Sequence, residues 1–287
     1  MVREIVSATI LAAALTASMG WARAPEIEVL KRTDKWVLNY DRDACHLIGQ
    51  FGTGDAMLAA RFTRYQPSTH FDLALYGDRL GGERTDAKID FGIGKPISAE
   101  GMGGKAGKLN AVFFPGMRLD GWSGVSRADV APELSPAQEA ATTGMTVTIR
   151  GKRPVRLDFG HLGKAMAQMR DCTTDLVRQW GYDPAVQAAL TRKVEPTDSP
   201  QKWLRSTDFP TTAKWSGSDG IVQFRLDVDA EGKIAGCYIL ARTSPDLFAD
   251  VTCDAIKRRA KLEPALDAQG KPVRSYFVQK VLWKAAS

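Results

Sequence analysis

From Lys35 to about Arg156, apolar and polar positions alternate in short runs: KWVLNY, ACHLIGQF, AMLAARFTRY and HFDLALYG, then AKIDFGI, KLNAVFFP and GMTVTIR. A period of two places one side of each run against a core. The Gly, Asp and Pro of GTGD, YGDRLGGE and FPGMRLDG divide the runs as turns do. Strands of this length and spacing predict an antiparallel sheet or sandwich. The period then changes in HLGKAMAQMRDCTTDLVRQWG, where Leu162, Ala165, Met166, Met169, Cys172, Leu176 and Trp180 recur at helical steps on one face. Gly181 stands where a left-handed C-cap belongs, and Asp183-Pro184 supplies the N-cap and first turn of another short helix.

KVEPTDSPQ, residues 193–201, has two prolines and no apolar period and reads as a linker. Beyond it, GIVQFRLDVD puts Val222, Phe224, Leu226 and Val228 on one face and Gln223, Arg225 and Asp227 on the other. AEGK makes the turn and IAGCYILA the return strand, so residues 220–241 predict a hairpin. Ser244-Pro245-Asp246 is expected to open a helix carrying Ala249, Cys253, Ile256 and Ala260 on its apolar face, with Pro264 beyond its end. KPVRSYFVQKVLW is a last strand, longer than either hairpin strand can match. The fold class is therefore α+β. A β-rich domain over 25–192 with a packed helix is followed by the linker and a small C-terminal unit over 202–287.

The first residues change the picture of where the chain lives. Arg3 precedes an uncharged stretch from Ile5 to Ala22, and small residues follow, which is the grammar of a secretory signal peptide over 1–22 with cleavage after Ala22. An uncleaved membrane anchor is the alternative, and membrane contact is expected only in that case. Export to the periplasm exposes the four cysteines to oxidising conditions, and four cysteines allow three pairings. With two domains the simplest pairing is Cys45–Cys172 and Cys237–Cys253. Cys172 faces the sheet that carries Cys45, and Cys253 lies on the helix that covers the strand of Cys237.

With 287 residues, 25% charged and 44% hydrophobic, the chain has a globular composition. Its net charge of +6 is mildly basic, and with export it gives no reason to expect a nucleic-acid partner. The run Lys257, Arg258, Arg259, Lys261 reads as a solvated helix face. GIGKPISAEGMGGKAGKLN misses the phosphate-loop pattern, because Met102 stands at the first glycine position and Leu109 replaces the hydroxyl residue. It reads as a flexible surface loop. His46, His70 and His161 are scattered, there is no nucleophile elbow, and the cysteine spacings do not fit a metal site. No catalytic residues, metal or cofactor are therefore expected, and the chain is not expected to be an enzyme.

The last third carries a resemblance. Phe209-Pro210 with Ala213, Gly220-Ile221-Val222, the turn Asp229-Ala230-Glu231-Gly232-Lys233, the helix from Leu247 to Ala255 and Leu262-Glu263-Pro264-Ala265 together resemble a TonB C-terminal domain, over about residues 205–285. The resemblance implies a three-stranded antiparallel sheet with one covering helix. It also implies a periplasmic setting in which the last strand offers its edge to a short peptide of an outer-membrane receptor, a form of strand addition. On this strand Arg274, Tyr276, Val278 and Lys280 form the expected docking ladder. A soluble adaptor contacting an envelope protein is the expected function. A membrane-anchored energy transducer is the alternative, and an enzyme in the N-terminal domain a more distant one. The nine residues of the linker reach about 30 Å at most, too short a spacer for a transducer.

Overall fold

The computed structural model describes residues 26–81, 84–123, 131–243 and 246–285. The expected signal segment and Ser244-Pro245 lie outside them. The first half contains β1 (Glu28–Lys31), β2 (Val37–Tyr40), β3 (Cys45–Phe51), β4 (Leu58–Arg64), β5 (Phe71–Tyr76), β6 (Arg84–Asp90), β7 (Ile97–Ala106) and β8 (Leu109–Met117). It continues with α1 (Pro136–Ala141), β9 (Gly144–Ile149), β10 (Val155–Asp158), α2 (Gly163–Gln179) and α3 (Pro184–Ala188).

The ten strands form one sheet in the order β1-β10-β9-β6-β7-β8-β5-β4-β3-β2, and its ends meet. Lys31 to Thr33, at and just past the end of β1, pair with the end of β3: Gly52 N–H donates to the Lys31 carbonyl at 2.9 Å and Thr33 N–H to the Gln50 carbonyl at 3.0 Å. The sheet is therefore closed on itself, a barrel rather than a sandwich, and closure removes the exposed edges that a long open sheet leaves. Inward positions of the alternating runs, among them Leu47, Phe51, Phe62, Leu73 and Phe114, are almost completely buried. The ring of Trp36 stands edge-on to those of Phe51, Phe62 and Phe159 at 5.5 to 5.9 Å. The apolar stripe of α2 lies on this core, and the Cys45–Cys172 disulfide fastens it to β3. Gly181 closes the helix with φ +80°, a conformation glycine adopts without a steric penalty.

One expectation needs correction. The glycine-rich stretch is not a flexible loop, because Ile97–Ala106 is the ten-residue strand β7, hydrogen-bonded to β6 and β8. A Cβ on Gly101 would lie 2.5 Å from both Phe114 and Val112. At that position glycine allows close approach of strand and core.

The second half consists of β11 (Glu195–Pro196), α4 (Thr211–Ser216), β12 (Gly220–Val228), β13 (Ile234–Arg242), α5 (Ala249–Arg259), β14 (Leu262–Glu263), β15 (Ala265–Leu266), β16 (Pro272–Val273) and β17 (Ser275–Trp283). The order β13-β12-β17 makes the three-stranded antiparallel sheet, and α5 covers it. The helix starts at Ala249, whose N–H is accepted by Asp246. The Cys237–Cys253 disulfide pins α5 to β13. Phe224, Leu226, Val228, Ile256 and Trp203 form the core between them. Each such side chain contributes roughly 1.5–3 kcal/mol when fully buried.

Two further expectations change here. β17 is not longer than its neighbour, because it is matched along its whole length by β12, from Gly220↔Trp283 to Val228↔Ser275. Residues 193–201 are not a free spacer: β11 pairs with β14, Thr191 N–H donates to the Leu266 carbonyl at 2.9 Å, and Val194 is buried in the C-terminal core. The stretch is fixed because it carries apolar and backbone groups that this small module needs.

Candidate functional site

β17 is an outer strand, and the direction of its backbone groups follows from its neighbours. Thr243 N–H donates to the Ile221 carbonyl and Ile221 N–H to Thr243 Oγ1, both at 3.0 Å and both on the β13 side of β12. Because bonding direction alternates along a strand, Val222, Phe224 and Leu226 bond across to Val281, Gln279 and Phe277. Tyr276, Val278 and Lys280 then direct their N–H and C=O groups outward from the sheet. Lys280 confirms the direction, since its N–H is taken by the side chain of Gln279 at 3.2 Å. At the start of the strand Gln187 Nε2 donates to the Arg274 carbonyl at 3.3 Å, which caps that end of the edge.

The side chains of the same residues point at the barrel. Tyr276 meets the rings of Trp180 and Tyr182 at 5.1 and 5.4 Å. Arg274 stands 4.4 Å over the Tyr182 ring and donates to the Gly181 carbonyl at 3.2 Å. Lys280 forms a short ion pair with Asp72 of β5 and lies over the ring of Phe113. Next to them, Arg225 is sandwiched at 4.6 Å from Trp180 and 4.4 Å from Tyr238 and paired with Asp227 at 3.0 Å. Gln223 and Arg225, on the polar face of β12, are consequently only 6% exposed. The polar face of the C-terminal sheet is thus its contact with the N-terminal barrel.

Burial sets the electrostatics. It pushes the Tyr276 and Tyr182 hydroxyls up to about 12, with Arg274 partly opposing the shift at Tyr182. It lowers the Lys280 ammonium, and the Asp72 carboxylate works against that shift. The His70 imidazole is lowered first by burial and then by Arg118.

Between the outer edge of β17 and the barrel lies a cleft of about 370 Å³. Val278, Gln279 and Lys280 form one wall, and Tyr65, Gln66, Ser68, His70 and Gly116 belong to the other. Asp72 sits between the walls, its Oδ1 accepting from Gly116 N–H at 2.9 Å as well as from Lys280. Elsewhere, His46 Nδ1 lies 2.9 Å from Thr63 Oγ1 and its Nε2 3.6 Å from Asp41. Thr63 is 4% exposed, so this contact ties β3 to β4 and offers no open hydroxyl. No group of three or more His, Cys, Asp or Glu side chains suited to a metal occurs among the described residues.

The four residues expected on the docking strand are thus together, with outward backbone groups at Tyr276, Val278 and Lys280, the Lys280 N–H being held by the Gln279 side chain. The barrel's contribution was not anticipated. Its sequence signal is small: Asp72 is the lone acidic residue in HFDLALYG, and its partner lies 208 positions away.

A helix-backed, three-stranded antiparallel sheet with a free outer edge defines a small α+β interaction module, here docked on a β-barrel. Residues 205–285 match the family model described as Gram-negative bacterial TonB protein C-terminal. That stretch is similar to a TonB-type C-terminal domain, a domain of Gram-negative envelope proteins. No curated protein matches the chain. Among the described residues no helix is long and apolar enough to cross a membrane.

Proposed function

We propose that the protein is a non-enzymatic periplasmic adaptor whose TonB-type module receives an extended peptide of an envelope partner on the outer edge of β17. The observation that carries this reading is the outward set of N–H and C=O groups at Tyr276, Val278 and Lys280. Main-chain hydrogen bonds give affinity to any strand of suitable conformation, and alternate side chains give selectivity. An adaptor is favoured over a transducer because the module packs on its own barrel through Tyr276, Arg225 and Lys280. Force transmission across the periplasm needs an extended spacer between such units.

Amide hydrogen exchange on the full chain tests the reading. The probe is an acetylated, amidated octapeptide of alternating Thr and Val, chosen for its preference for extended backbone. On adding it, exchange at Val278 should slow, and at Lys280 too as the peptide replaces the Gln279 side chain on its N–H, while Phe277 and Gln279, already bonded to β12, change little. Unchanged exchange at Val278 and Lys280 with bound peptide moves the partner site elsewhere.

A further inference from the structure

We infer that the N-terminal barrel selects the peptide that adds to β17, through two side chains spaced two residues apart, and that it selects uncharged hydrogen-bonding residues there. This rests on strand addition at the β17 edge and specifies its ligand.

Residues directly opposite each other in a pleated pair have side chains on the same face. Val278 and Lys280 turn theirs toward the barrel, with Lys280 reaching Asp72. Peptide residues opposite Val278 and Lys280 therefore also turn theirs toward the barrel, into the cleft. The residue between them points to the other face of the sheet, away from the barrel. The peptide then lies between two walls that belong to different modules.

The chemistry of the far wall sets the preference. Tyr65, Gln66 and Ser68 offer a phenol, an amide and a hydroxyl, and Gln223, whose Nε2 is held by the Gln279 carbonyl, adds an amide oxygen on the near side. The formal charges at the cleft cancel, because Asp72 is paired with Lys280. The Arg64 side chain, though its residue borders the cleft, is turned to Glu139 at 3.6 Å. Burial and the nearby Arg118 both disfavour a charge on the His70 imidazole. A Glu or Lys side chain entering here leaves water without gaining a counter-ion, which is costly. Ser, Thr, Asn or Gln can exchange hydrogen bonds with the wall at little loss.

The experiment compares three octapeptides on the full chain by fluorescence anisotropy: alternating Thr-Val, alternating Glu-Val and alternating Lys-Val. The wild type should bind Thr-Val tighter than either charged peptide by about tenfold or more. The Gln66→Glu variant changes only the barrel wall. It should shift the preference toward Lys-Val, a gain that misfolding does not imitate. If Val278→Pro abolishes Thr-Val binding while Gln66→Glu leaves all preferences unchanged, strand addition stands and selection by the barrel is overturned. Unchanged Thr-Val binding by Val278→Pro overturns both. Absence of binding by the wild type also overturns both, and a dimer in sedimentation would then identify a second copy of the chain as the occupant.

Discussion

Replacing Val278 and Gln279 with proline, one at a time, separates the two edges of β17 without any ligand. Gln279 lies opposite Phe224 and exchanges ladder hydrogen bonds with it, and Phe224 is 1% exposed. A proline at 279 removes the donor, losing a net bond of about 1 kcal/mol and leaving a buried carbonyl unsatisfied at about 1–3 kcal/mol. The sum is about 2–4 kcal/mol. At Val278 the N–H points away from β12, so proline removes no bond within the sheet, and an edge position facing away from the ladder tolerates it. The expected cost there is under about 1 kcal/mol. Guanidinium unfolding of the full chain, followed by tryptophan fluorescence, measures both, with Gln279→Ala as the control for side-chain loss. Equal destabilisation by the two prolines, or a larger loss at 278, would refute the assignment of the free edge.

Three other outcomes follow from the packing. Removing the bridge over 16 positions with Cys253→Ser should cost about 3 kcal/mol, and removing the one over 127 with Cys172→Ser about 5, on the chain-entropy model, as read by denaturant unfolding. Gly101→Val should destabilise by about 1–3 kcal/mol through overpacking. Gly104→Val, where a Cβ meets nothing within 4 Å, should change the unfolding midpoint little, and comparable effects at both sites would return the segment to a loop. The Asp208 carboxyl is held at about 2, below its ordinary 3.8, chiefly by hydrogen bonds from Arg259. Its contribution is present above about pH 4 and lost as pH falls toward about 2. The stability gap between wild type and Asp208→Asn should close over that range in acid titrations followed by circular dichroism.

Periodicity exposed the elements whose two sides differ. β3, β4 and β5 alternate because one side meets a core, and α2 shows its stripe for the same reason. β7 was hidden because its glycines serve close packing against Phe114 and Val112, so the strand carries few apolar side chains to alternate. β12 alternates correctly, yet its polar side is not solvated: Arg225 lies between Trp180, across the module contact, and Tyr238 of its own sheet, and Gln223 donates to the Gln279 carbonyl of β17. Local pattern distinguishes apolar from polar but not water from another module. The cysteines were more informative, because helix-face position and strand position together restrict which pairs can meet. The cleft had no local signature, since its walls come from β17 and from barrel segments far earlier in the chain.

Trp203 is among the largest fully buried side chains, stands against Phe277 at 5.9 Å, and falls two residues before the recognisable TonB-type stretch begins. Val194 and β11 lie farther out still, yet belong to the same core and ladder. The piece that folds is therefore longer than the piece that can be recognised. A fragment cut at 205 would expose Phe277 and leave β14 without its partner, and its failure to fold would say nothing about the module's function. Dissection and domain-swapping should cut before Leu190 instead. There the chain is already tied to β17 through Gln187, and the barrel cannot be exchanged without redesigning the surface on which the module rests.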